Sequence, residues 1–153
     1  MKTMKRLLVL FIGIALVSVV TYADEDNVSY YELPEKARTF LEKHFGKSPA
    51  TKEVEKDRNG FSVELRSGYE LEFDTTGKLV EIDAPGKKTL TMALVKDIIP
   101  AKAVKHLQDK GVLKKVDNIK LLHNGDYLVG IEQIVKEYTI RFNTNGEPLN
   151  INK

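Results

Sequence analysis

The feature that most constrains this chain is a phrase that it writes twice. "YELEFDTTGKLVEI" runs from Tyr69 to Ile82, and "YTIRFNTNGEPLNI" runs from Tyr138 to Ile151. In each, apolar and polar residues alternate, an Asp or Asn opens a turn, a glycine closes it, and a second short run follows. Strict period-two alternation describes a strand with one dry face and one wet face. Glycine between two such runs marks a tight hairpin, because it tolerates the positive φ that these turns demand. The doubling reaches further back. "LPEKARTFLEKHF" aligns with "IPAKAVKHLQDKG" at an offset of 66, setting Pro34 against Pro100, Ala37 against Ala103 and Leu41 against Leu107. "RNGF" and "HNGDY" follow at an offset of 65, and the closing hairpin at 69, matching Phe73 to Phe142 and Gly77 to Gly146. The second copy is therefore about four residues longer, inside "GIEQIVKEY".

Within the first copy, Ala37, Phe40, Leu41 and Phe45 recur at helical spacing, Pro34 suits the first turn and Gly46 stops the helix. Four strands are then expected near 51–57, 61–66, 69–74 and 78–83, separated by Asn59-Gly60, Ser67-Gly68 and Thr76-Gly77. "APGKK" reads as a connector, and "LTMALVKDII" as a short helical lead-in to the second copy. The expected fold class is α+β: a tandem repeat of a helix plus a four-stranded antiparallel sheet, in two layers with the helices on one face. The repeats would cover about 30–83 and 95–152, joined by a linker at 84–90. A unit of this size hides only ~60% of its unfolded surface and is marginal alone. The chain has no Cys, so neither copy can be stapled by a disulfide. The two copies should therefore share one core or one continuous sheet, making residues 24–153 a single unit.

The first 23 residues read differently. Lys2, Lys5 and Arg6 precede the unbroken apolar run "LLVLFIGIALVSVV", and "TYA" precedes "DED". This is the order of a secretory signal peptide cut after Ala23, and the run is short of the ~20 apolar residues that span a bilayer. The expected compartment is the bacterial periplasm or the outside of the cell, with no stable membrane insertion after cleavage. No Cys follows the run, which rules out a lipid-modified bacterial N-terminus. Removing those three cations from the 24 basic residues leaves 21 against 22 acidic ones. A near-neutral domain has no electrostatic reason to bind nucleic acid, so no nucleic-acid partner is expected.

The residues offer little chemistry. His44, His106 and His123 have no second His or acidic residue at metal-site spacing, and are expected to cap a helix end, pack half-buried and sit in solvent, respectively. "FDTTG" and "FNTNG" offer oxygen ligands at Asp74 and Asn143 but lack the further acidic positions of a calcium loop, so they read as turns. No glycine-rich phosphate loop and no nucleophile-elbow serine appears. The expectation is no catalytic residue, no cofactor, no metal, and no enzyme.

What remains is a surface. Glu64, Glu70 and Glu72 should share the wet face of the first copy, with Arg66 beside them to neutralise. Leu128 faces outward in the second copy, Arg141 lies in its closing hairpin, and Ile134 and Val135 project from the longer connection. These eight are the candidate partner-binding residues.

The helix opening "LPEKARTFL", then "NGF" and "YELEFDTTG", repeated as "IPAKAVKHL", "NGDY" and "YTIRFNTNG", resembles the PepSY-like family of exported bacterial proteins. Their fold is similar to that of the β-lactamase inhibitory protein. The resemblance covers Tyr30 to Ile151 and implies helix-plus-antiparallel-sheet units outside the cytoplasm. It also implies restraint of a secreted peptidase as one role, and it brings no catalytic residues. The expected function is thus an exported, non-catalytic binding module that restrains or scaffolds another envelope protein through its open sheet face. The alternative is a small-ligand carrier or sensor.

Overall fold

A computed structural model describes residues 26–133 and 137–149. Residues 1–25, where the signal peptide is expected, residues 134–136, which include Ile134 and Val135, and residues 150–153 lie outside the described residues. The chain is α+β: three helices and one antiparallel sheet of nine strands, whose spatial order follows the sequence from first to last.

The first half runs β1 (Asp26–Asn27), α1 (Glu35–Phe45), β2 (Thr51–Lys56), β3 (Gly60–Leu65), β4 (Glu70–Asp74) and β5 (Leu79–Asp83). The second runs α2 (Met92–Ile98), α3 (Ala101–Asp109), β6 (Val116–Leu121), β7 (Tyr127–Ile131), β8 (Tyr138–Phe142) and β9 (Pro148–Leu149). Each expected strand of the first half falls within a residue of its expected start. β1 was not expected: it is two residues of a polar leader pairing with Lys56 and Glu55, too short to show any period. Pro34 and Pro100 stand one residue before their helices, where their carbonyls accept from the amides of Arg38 and Val104 at 3.1 Å. Thr91 caps α2, its hydroxyl accepting from the Leu94 amide at 3.3 Å.

The halves meet strand to strand. β5 pairs β6 through Glu81 with Lys120, Ile82 with Ile119 and Asp83 with Asn118. The segment after β5 is anchored as well: the Ala84 amide donates to the Asp117 carbonyl at 2.8 Å and the Leu90 amide to that of Val116 at 2.7 Å. Alternation on the strands does what the period implies. Val63, Leu71, Phe73, Ile82, Ile119, Val129 and Phe142 are buried, and they join Ala37, Leu41, Ala103 and Leu107 of the helices in one core cluster. Burial of this apolar surface is the main force holding both halves together.

Each closing hairpin is pressed against the start of its helix. A side chain at Gly77 would begin 2.7 Å from Pro34 Cβ, and one at Gly146 2.9 Å from Pro100 Cβ and 2.8 Å from the Ala103 nitrogen. The "FDTTG" and "FNTNG" turns use their own oxygens to close. Asp74 Oδ1 accepts from the amides of Thr76 and Lys78, and Asn143 Oδ1 from those of Asn145 and Glu147.

Candidate functional site

The sheet face opposite the core side chains is accessible and polar. On β3 and β4 the residues between the buried ones are Ser62, Glu64, Glu70 and Glu72. Register sets like charges against each other: Glu64 is opposite Glu70, and Glu72 is opposite Glu81. Directly opposed acids destabilise a strand pair unless cations intervene. Two do. Lys52 Nζ lies 2.8 Å from Glu64 Oε1, and Lys120 Nζ 2.5 Å from Glu81 Oε2. Asn118 Nδ2 completes the central cluster, donating to Asp83 Oδ1 at 2.7 Å and Glu81 Oε1 at 3.2 Å. Glu72 keeps no cation of its own. Although exposed, it is partly desolvated by its surroundings, and Glu81 adds repulsion, so its carboxyl is held above the usual carboxylate range.

Next to Glu72, at the Asn59 end of the sheet, the surface sinks into an open groove of about 610 Å³. Its walls include Lys56, Asp57, Phe61, Ser62, Glu72, Val80, Lys120 and His123. Lys56 Nζ stands 5.8 Å from the centre of the half-buried Phe61 ring. The groove therefore offers an apolar floor with charged walls.

The six described residues of the eight expected from the sequence scatter over this sheet. Glu64 is engaged by Lys52, Arg66 is exposed just beyond β3, and Glu70 is exposed. Of the six that the structure describes, Glu72 alone lines the groove. In the second half, half-buried Leu128 stands between Lys120 and Arg141 in the register. Arg141 is held by Asp126, its Nη2 and Nε donating to one carboxylate oxygen at 2.6 and 2.9 Å. Ile134 and Val135 lie outside the described residues. Lys120, Asn118 and Glu81 were absent from the sequence reading, since nothing in a single strand says which strand will lie beside it.

The sequence also concealed a partner for His44. Its side chain is 6% exposed and its Nε2 lies 2.8 Å from Asp97 Oδ2, while Lys43 Nζ lies 2.6 Å from Asp97 Oδ1. Hydrogen bonds from Lys43 and then His44 hold the Asp97 carboxyl below its usual range. This cluster ties α1 to α2. His106 packs edge-on against Phe142 at 5.6 Å, and His123 is exposed on the groove rim.

The last group sits where β6 meets β7. The register slips between Val116 and Asn118, so Asp117 is the extra residue of a β-bulge. Asp117 is 7% exposed. A Cβ on Gly130 would lie 2.7 Å from Asp117 Oδ1, so a side chain there would have to displace this carboxyl. Glu132 and Glu137 bring their own carboxylates up to it, all within 4.8 Å of one another. Burial, followed by Glu132, pushes Asp117 up to about 6.

With this geometry described, the chain can be set beside known proteins. Residues 20–81 match the model of the "beta-lactamase-inhibitor-like, PepSY-like" family. No curated protein sequence matches the chain. Among solved structures, a proposed periplasmic protein of unknown function from Bacteroides vulgatus is 23% identical with a TM-score of 0.65, covering 82% of this chain and 97% of that one. A proposed calcium-regulated periplasmic protein from Bacteroides thetaiotaomicron is 21% identical with a TM-score of 0.66, covering 85% and 98%. A second Bacteroides vulgatus protein, of the DUF2874 family, is 22% identical with a TM-score of 0.63, covering 85% and 98%. These likenesses establish the fold. Among the described residues, no helix is long and apolar enough to cross a membrane.

Proposed function

We propose, from a PepSY-like first half and a fold similar to those periplasmic proteins, that this chain is an exported, non-catalytic binding module. It consists of two copies of one helix-and-sheet unit, and it holds another envelope protein, such as a peptidase, on the open face of its sheet. The observation that carries this reading is the groove beside Glu72 on a nine-stranded platform that both halves stiffen. A rigid surface loses little entropy on binding, and a patch of half-buried apolar groups ringed by charges gives both contact and orientation.

Photocrosslinkers at Ser62 and Lys105, exposed on the sheet and on α3 respectively, test it in the native compartment. The expected result is one discrete protein adduct from Ser62, weakened by Lys120→Glu, and none from Lys105. Equal adducts from both positions, or none from Ser62, would sink the reading.

The groove also favours a second reading. Its volume falls in the ~300–1,000 Å³ range of small-molecule sites. A thermal-shift screen over sugars, bile acids and short peptides that raised the melting point without any protein partner would favour a ligand carrier.

A further inference from the structure

We propose that Asp117, Glu132 and Glu137 form a binding site for a hard divalent cation, calcium being the best fit. Three carboxylates converge here, with one ligand oxygen from each lying within 4.8 Å of the others. An all-oxygen carboxylate set suits calcium, which takes many oxygen ligands in a flexible geometry, whereas magnesium demands near-ideal octahedral geometry and gives up its water reluctantly.

A convergence of acids is common on protein surfaces and means nothing alone. Here it is accompanied by burial: Asp117 and Glu132 lie within hydrogen-bond reach of each other, a contact that two carboxyls can make only by holding a proton between them. Glu132 Oε2 is wholly buried, and among the described residues no amide, hydroxyl or cation donates to it. Asp117 is more than nine-tenths buried. The groups that bear on its carboxyl are Glu132, Glu137 and its own backbone. Among the described residues, no basic side chain forms an ion pair with any of the three. Buried polar atoms are nearly always satisfied, so an orphan carboxylate oxygen beside two more acids points to an absent positive ligand.

The first half shows what that ligand replaces. Its own bulge lies between Thr51 and Glu53, making Lys52 the extra residue, and Lys52 Nζ fills the site by bonding both oxygens of Glu64. Aligned through the paired residues Thr51–Leu65 and Val116–Ile131, Lys52 corresponds to Asp117 and Glu64 to Gly130. The second half has thus exchanged the bulge cation for an acid and removed the acid's side chain opposite. Glu132 and Glu137 lie at the two ends of the longer connection from β7 to β8, which the first half lacks. A cation from solution would restore the charge that Lys52 supplies internally.

Calorimetric titration of the chelator-treated full chain with calcium chloride tests the site. One saturable site per chain is expected, with Glu132→Gln and Glu137→Gln each weakening it at least tenfold and Asp109→Asn leaving it unchanged. Glu137 is exposed, so its substitution leaves the fold intact. Magnesium should compete poorly. Absence of saturable binding up to about 10 mM calcium, well beyond the range of extracellular calcium modules, would overturn the proposal. Binding that survives both glutamine variants would overturn it equally.

Discussion

The bulge of the first half and the bulge of the second share a backbone and oppose each other in charge. Lys52 reaches across to Glu64 and the pair neutralises itself at the surface, with the lysine side chain 60% exposed. Asp117 folds over Gly130 and is buried against more negative charge. One geometry can therefore be an electrostatically closed joint or an open one, and the residues on the bulged strand and on the strand facing it decide which. The comparison also separates architecture from chemistry. Core positions agree between the halves, as with Val63 and Val129, Leu71 and Ile140, or Phe73 and Phe142, each paired alike in the register. The outward positions diverge: Glu64 and Glu72 on one half correspond to Gly130 and Arg141 on the other.

The widest break of that comparison would be to show that the halves do not share a fate. Phe73 and Phe142 are 2% and 0% exposed and occupy corresponding places in one cluster. Truncating either to Ala should cost about 3–5 kcal/mol, from lost burial plus the cavity left behind. Because Ile82 pairs Ile119 across a continuous sheet, both variants should melt in one transition at a lower temperature by calorimetry. Two transitions, only one of them moved by each variant, would mean that the halves fold separately and that the platform is not rigid.

Much of this was readable beforehand, for reasons that can be stated. Strands β2 to β5 follow from period-two alternation and turn glycines, both local properties of the chain. Union of the halves follows less directly, from the thinness of each half and the absence of Cys, but that their strands join in one sheet does not follow from the sequence. What escaped was everything made by long-range pairing. Asp97 is 53 residues from His44, and Lys120 is 39 from Glu81, so neither pair leaves a local trace. Glu64, Glu70 and Glu72 could be assigned to one face, but their cations could not. Metal-ligand spacing along the chain is a local property, and none is written here. Asp117, Glu132 and Glu137 are brought together by a bulge and a hairpin instead. A signal did exist: aligning Thr51–Val54 with Val116–Ile119 sets Lys52 against Asp117, a reversal of charge within otherwise matched strands.

A second, smaller effect sharpens the contrast in pH. Asp117 rises from an ordinary 3.8 to about 6 in the folded chain, so between those values the folded state holds more protons than the unfolded one. Stability must then fall as pH rises through that window, by about 2–3 kcal/mol for this group in the absence of cations. Asp117→Asn should remove that fall. Denaturant midpoints for the two proteins should nearly coincide near pH 4 and diverge by pH 7, with the variant more stable. Calcium should narrow the gap, since the ion takes the place of the missing proton. Parallel profiles from pH 4 to 7 would show that Asp117 is not under the strain its surroundings imply.

The mildest expected effect belongs to the other bulge, and its smallness is what makes it useful. Lys52 and Glu64 meet at good distance, but the lysine is largely in water, where screening and side-chain entropy offset most of the attraction. Lys52→Met should therefore move the melting midpoint by no more than about a degree or two. That small loss should fade in high salt, since only a screened surface attraction was removed. If Lys52→Met instead made the first half respond to calcium, Glu64 with its neighbours Glu53 and Glu70 would be acting as a latent cation site. The lysine would then be the internal counterpart of the ion at Asp117. If it proved strongly destabilising at every salt concentration, the exposed pair would be carrying packing that the geometry does not reveal. The two bulges could then no longer be read as one device with its charge exchanged.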